Sequence, residues 1–108
     1  MSAAAWSMVL IRTDWLRWRS SGDIRIKGDS MKGAGILDGD WAIIDHSKEP
    51  RVGSIVAAYI DGKSTLKRFL TRHGKPYLKA ENPRYPDLTP CEELMVQGVF
   101  IGLYRRAQ

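Results

Sequence analysis

A mainly β domain is the fold class this sequence predicts, and three observations predict it. Ile24 and Ile26 alternate with Arg25 and Lys27, the period-two pattern of a half-buried strand. Asp61-Gly62 separates two strand-like runs and is a strong hairpin signal. Leu94–Tyr104 closes the chain as one long, largely apolar run.

The elements follow in order. The strand at 24–27 runs into Gly28, and Gly33, Gly35 and Gly39 break the chain after it. Trp41–Asp45 reads as a short strand. Residues 53–60 are an apolar run too short, and too β-branched at its start, for a helix. Asp61-Gly62 turns that run back into 63–70. His73-Gly74 is the next turn, and 76–80 returns. Asn82-Pro83 and Tyr85-Pro86 hold an extended loop, because proline biases the preceding residue away from helix. Gly98 sits within the last strand, where a glycine suits a bulge.

Length and composition agree with one small domain. At 108 residues the chain is close to the commonest domain size. A single cysteine, Cys91, excludes an intrachain disulfide and suits a reducing compartment such as the cytoplasm. The net charge of +5 is spread over 12–27, 63–79 and Arg105-Arg106. No nucleic-acid reading motif accompanies it, so it reads as a solvated basic surface. Residues 3–11 are mostly apolar, but a spanning helix needs roughly 20 such residues. Arg12 follows that run rather than preceding it, so neither an export signal nor a membrane anchor is expected. Trp6, Trp15 and Trp18 all fall in 1–23, an N-terminal arm expected to dock on the domain at 24–108 or on a partner chain.

Two residues carry the chemistry. Ser30 lies in Gly28-Asp29-Ser30-Met31, and Lys67 lies 37 positions later in Thr65-Leu66-Lys67-Arg68-Phe69. A serine hydroxyl needs a base before it can act as a nucleophile, and a lysine serves if burial strips its charge. Taken singly, Ser30 has the composition of a turn serine and Lys67 that of a solvent-facing strand lysine. The surrounding text changes the reading. The stretch Gly28-Asp29-Ser30-Met31-Lys32-Gly33-Ala34-Gly35-Ile36-Leu37-Asp38-Gly39-Asp40, the hairpin around Lys67, Glu81-Asn82-Pro83-Arg84-Tyr85-Pro86 and the run 96–102 together resemble the self-cleaving peptidase domain of UmuD mutagenesis proteins and LexA-type repressors. The resemblance covers about 24–106, and Gly33-Ala34-Gly35 and Tyr85-Pro86 lean towards UmuD.

The resemblance implies small twisted antiparallel sheets in the fold shared by LexA, UmuD and signal peptidase. It also implies Ser30 as nucleophile and Lys67 as base, with no cofactor and no metal. The backbone N–H groups of Ser30 and Met31 are the expected oxyanion donors, since glycine-rich turns expose such groups. Met31 itself reads as a packing residue. His46 and His73 lie in no triad setting, and Cys91 follows Pro90 in a loop as a bystander.

One departure stands out. The family cuts its own chain at an Ala-Gly or Cys-Gly bond well upstream of the serine. Only 29 residues precede Ser30 here, and none of them forms that pair. Ser21-Gly22 is the nearest substitute, and Ala34-Gly35 falls after the nucleophile. The expectation is therefore a processed, UmuD′-like form. Such a form is a homodimer, paired through Leu94–Tyr104, that serves a Y-family DNA polymerase and the RecA filament on single-stranded DNA. The alternatives are an active serine peptidase or a LexA-like repressor C-terminal domain, and, more remotely, a relative of type I signal peptidase.

Overall fold

A computed structural model of the chain describes residues 9–11 and 21–107. Seven strands run in the order β1 (Val9–Ile11), β2 (Ser21–Arg25), β3 (Trp41–Asp45), β4 (Ile55–Ile60), β5 (Lys63–Arg72), β6 (Lys75–Lys79) and β7 (Leu94–Tyr104). A 3-10 turn at Lys32–Ala34 is the one helical element named among them. The fold is mainly β, and the expected sheets are a single sheet of order β2-β3-β7-β4-β5-β6. Those neighbours are all antiparallel, while β1 pairs parallel to β7. The expectations for Trp6, Trp15 and Trp18 lie outside the described residues.

The two hairpins form where the turn signals stand. Asp61 and Gly62 have φ of 46° and 90°, and His73 and Gly74 have 54° and 77°. Positive φ at both central residues is the turn whose twist matches the flanking strands. Asp61 does more than turn. Its carboxylate accepts the N–H groups of Cys91, Glu92 and Glu93 at 2.8–3.0 Å, which anchors the chain as it returns to β7.

β7 is the spine of the molecule. Its first half pairs with β4 on one side and β1 on the other; its second half pairs with β3. Its register slips once against β4 and once against β3. Ala57 faces Gly98 but Ala58 faces Val96, leaving Gln97 extra; Ile43 faces Gly102 but Ile44 faces Phe100, leaving Ile101 extra. Such bulges bend a strand and increase its twist. Gly98 is needed here for close approach, since a Cβ would meet the Ile44 Cγ2 at 2.5 Å and the Asp45 carbonyl at 2.9 Å.

Strand alternation divides the core. Val56, Ala58 and Ile60 of β4 pack with Phe69, Leu78, Leu94, Val96 and Val99. Ala57 packs with Leu66, Ala42, Ile44 and Ile26, and with Met31 and Ile36 from the segment after β2. The second cluster therefore holds the Ser30 segment against the sheet. No helix among the described residues is long and apolar enough to cross a membrane.

Candidate active site

Ser30 is presented by a turn whose neighbours are anchored. Gly28, at φ 84°, redirects the chain out of β2, and its N–H donates to Asp38 Oδ1 at 2.7 Å. Met31 is 2% exposed and belongs to the second core, the packing position expected of it. Beyond it, Gly35 at φ 81° ends the 3-10 turn. Asp40 closes the turn from the far side. Its buried carboxylate takes a two-pronged ion pair from Arg105 at 2.6 and 2.8 Å and the Leu37 N–H at 2.7 Å. The Arg105 guanidinium holds this carboxyl well below its usual range, down to about 2.

Lys67 projects from the middle of β5 and is only 8% exposed. Its Nζ lies 3.0 Å from Ser30 Oγ, 2.6 Å from Thr65 Oγ1 and 3.3 Å from the Leu66 carbonyl oxygen. Among the described residues no carboxylate comes within ion-pair distance of it. Burial without a compensating anion lowers its pKa from the ordinary lysine value. As an ammonium, Nζ donates to Ser30 Oγ. As an amine, it offers a lone pair to the Ser30 O–H at the same distance.

A second segment holds the Ser30 turn from behind. Glu81 N–H donates to the Ser30 carbonyl at 2.9 Å, and Gly33 N–H donates to the Glu81 carbonyl at 2.8 Å. Asn82, itself 4% exposed, donates through Nδ2 to the Asp29 carbonyl at 3.0 Å. Tyr85 O–H donates to Asp29 Oδ1 at 2.7 Å, which lowers the Asp29 pKa. Glu81 Oε2 accepts Arg68 Nε at 3.1 Å, so the strand bearing Lys67 reaches the same segment. These contacts were invisible in the sequence, where Glu81, Asn82 and Tyr85 were motif letters without a partner. Among the described residues the N–H groups of Ser30 and Met31 have no acceptor.

A cleft of about 370 Å³ opens over the pair. Ile24, Ile26, Met31, Ala57, Ala58 and Leu66 line it beside Ser30, Thr65, Lys67 and Gln97. Small alanines on an apolar wall suit a short side chain next to the reacting carbonyl. A cleft of about 390 Å³ around Arg25, Trp41 and Arg105 includes neither Ser30 nor Lys67.

The remaining candidates stand apart. His46 Nδ1 bonds the Gln97 carbonyl at 3.0 Å, and His73 occupies the β5–β6 turn. Exposed Cys91 is held by its backbone N–H on Asp61. The Ser21-Gly22 bond lies within β2, laddered to Asp45 and Ile44, so the strand begins earlier than 24–27 suggested. Ala34-Gly35 belongs to the turn that carries Ser30.

Comparison with known proteins agrees with this architecture. The Peptidase S24-like family profile matches residues 8–101. A LexA repressor of Verrucomicrobium spinosum is 54% identical over 82 residues, 76% of this chain and 40% of the relative. The LexA repressor of Opitutus terrae is 48% identical over 86 residues, 79% of this chain and 42% of that protein. That of Frankia alni is 42% identical over 83 residues, covering 77% and 32%. The chain thus spans about two fifths of the length of the first two relatives.

Proposed function

The chain belongs to the Peptidase S24-like family, and from that premise we propose that it is the self-cleaving domain of a LexA-type repressor, with Lys67 activating Ser30. The observation that carries this reading is the 3.0 Å approach of a desolvated Lys67 Nζ to Ser30 Oγ. The Ser30 O–H gives its proton to the Lys67 lone pair as Oγ bonds to the substrate carbonyl carbon. The carbonyl π electrons collect on oxygen, towards the N–H groups of Ser30 and Met31. Collapse expels the amine, which takes the proton from Lys67. Lys67, neutral again, takes a proton from water as that water bonds to the acyl carbon, and passes it to Ser30 Oγ as the Oγ–carbon bond breaks and the acid leaves.

The substrate is a small residue–glycine bond in an extended segment, which the alanine-lined cleft favours. Ser21-Gly22 is an unsuitable substrate, because its backbone is already committed to β2. The RecA filament on single-stranded DNA is the proposed trigger, a second copy of the chain the proposed partner, and the cytoplasm the proposed compartment.

The relatives named above are repressors, which moves the reading from the UmuD branch to the LexA branch. A Y-family polymerase partner draws no support from them. The residues that leaned towards UmuD have local work instead. Gly33 lets Glu81 approach, since a Cβ there would meet the Glu81 carbonyl at 2.4 Å, and Tyr85 bonds Asp29.

The test adds a peptide with a small residue–glycine bond in trans and follows its products by mass spectrometry. Cleavage is expected at that bond and falls at least ~10³-fold in Ser30→Ala and in Lys67→Ala. Cleavage that persists in both variants would refute the assignment.

A further inference from the structure

We infer that Asn82 is a positioning residue that sets the oxyanion-binding geometry, by fixing the plane of the Asp29–Ser30 peptide. The inference rests on the Ser30–Lys67 reading and deepens it. A trans peptide is rigid and planar, with its C=O and the following N–H pointing to opposite sides. Pinning the carbonyl therefore aims the N–H. The two peptide units that carry the Ser30 and Met31 N–H groups have their carbonyls on Asp29 and Ser30. Both carbonyls are pinned by one short segment: Asp29 O accepts Asn82 Nδ2 at 3.0 Å, and Ser30 O accepts the Glu81 N–H at 2.9 Å. At the opposite edge of each plane, the N–H groups have no acceptor among the described residues.

The two pins differ in kind. The Glu81 N–H belongs to the backbone and no substitution short of proline removes it. Asn82 holds its plane by a side chain, so that orientation depends on residue type. The Asn82 amide is itself fixed, because it is buried and its Oδ1 accepts the Arg84 N–H at 3.0 Å. The Lys32 N–H also reaches Asp29 O, at a longer 3.2 Å, from within the turn that must be held. Asn82 supplies the contact from outside it. As Ser30 Oγ bonds to the carbonyl carbon and its proton passes to Lys67, negative charge gathers on the substrate oxygen. A donor misdirected at that moment weakens binding of the transition state more than binding of the substrate.

The experiment compares wild type, Asn82→Leu and Leu88→Ala in trans cleavage of the small residue–glycine peptide, across pH. Leu88 packs on the other core, so its truncation controls for stability alone. For Asn82→Leu the plateau kcat should fall about 10- to 100-fold. KM and the midpoint of the pH profile, which reports Lys67, should not move. Leu88→Ala should keep its plateau at temperatures where it is folded. Crystal structures of wild type and Asn82→Leu give a readout independent of turnover: the Asp29–Ser30 peptide should rotate or lose order in the variant. An unchanged plateau, a shifted pH midpoint or an unmoved peptide plane overturns the inference. If wild type cleaves nothing, the dyad reading fails, and the peptide plane still decides the role of Asn82.

Discussion

At the scale of single residues, Lys67 is where energetics and chemistry meet. Its ammonium is desolvated with no carboxylate beside it among the described residues, so its pKa in the fold lies below that of the unfolded chain. Between those two values the unfolded state binds more protons, and stability rises with pH. Below the folded value the penalty is fully present. Lys67→Met, which keeps the volume without the charge, is thus expected to melt higher than wild type near pH 7, with the gap closing towards pH 10. Thermal melts across pH check this; a gap that widens would contradict a desolvated lysine. Turnover should climb over the lower part of the same range and level off once the amine is neutral. Gly33 makes a second residue-scale case. In Gly33→Ala the new Cβ would sit 2.4 Å from the Glu81 carbonyl, with backbone on both sides. A loss of about 1–3 kcal/mol is expected from the forced separation. Cleavage should fall too, since Glu81 also holds the Ser30 carbonyl; denaturant melts and peptide turnover measure the two effects.

At the scale of elements, β7 depends on its irregularities. Two extra residues, Gln97 opposite β4 and Ile101 opposite β3, bend and twist it along its length. Gly98 stands where the strand passes over Ile44 and Asp45 with no room for a side chain. Gly98→Ala is expected to destabilise by about 1–3 kcal/mol. A chemical denaturation midpoint that shifts down at unchanged slope would report this, whereas wild-type stability would show that the approach is not needed. Gln97, the extra residue of this bulge, lines the cleft beside Ser30 and Lys67, so peptide turnover should fall as well.

At the scale of the whole molecule, the C-terminal end is tied to the turn that carries Ser30. Arg105, just past β7, grips Asp40 with two hydrogen bonds and reaches the Gly35 carbonyl at 3.2 Å. The Asp40 carboxyl is depressed to about 2 in the fold. Because the folded value lies below the unfolded one, its stabilisation is complete above about pH 4 and drains away as pH falls towards 2. Acid melts should therefore show a steeper decline in wild type than in Asp40→Asn between those limits. Equal slopes would remove the pair from the acid response. Association is the other property of this scale. Beyond the end of β4, Phe100 to Tyr104 have β3 on one side and, among the described residues, no strand on the other. Ile101 is half-exposed there. Sedimentation at tens of micromolar should show a dimer that Ile101→Lys weakens, since a charged residue on a strand edge opposes edge pairing. A wild-type monomer at that concentration would dismiss the proposed partner.

Much of the fold was legible because its signals are local. Asp61-Gly62 and His73-Gly74 specify their turns through backbone conformations few residues tolerate, and Trp41–Asp45 and Leu94–Tyr104 stand as strands with the expected bounds. The Ser30 and Lys67 segments could be matched as text for the same reason. Contacts between distant segments were not legible. That β7 lies inside the sheet depends on which distant strands line its two edges, and of its two register slips only the one beside Gly98 had a local signal. That Glu81, Asn82 and Tyr85 hold the Ser30 turn depends on backbone and side-chain groups meeting across some fifty residues of chain, as Asn82 meets Asp29 over 53. That the Thr65 hydroxyl lies 2.6 Å from Lys67 Nζ was equally hidden. The sequence by itself determined which residue types stand where and which turns they force. Only the tertiary structure decided what each polar group meets, because a hydrogen bond is made in space and desolvation is a property of the packed surroundings, not of the residue that suffers it.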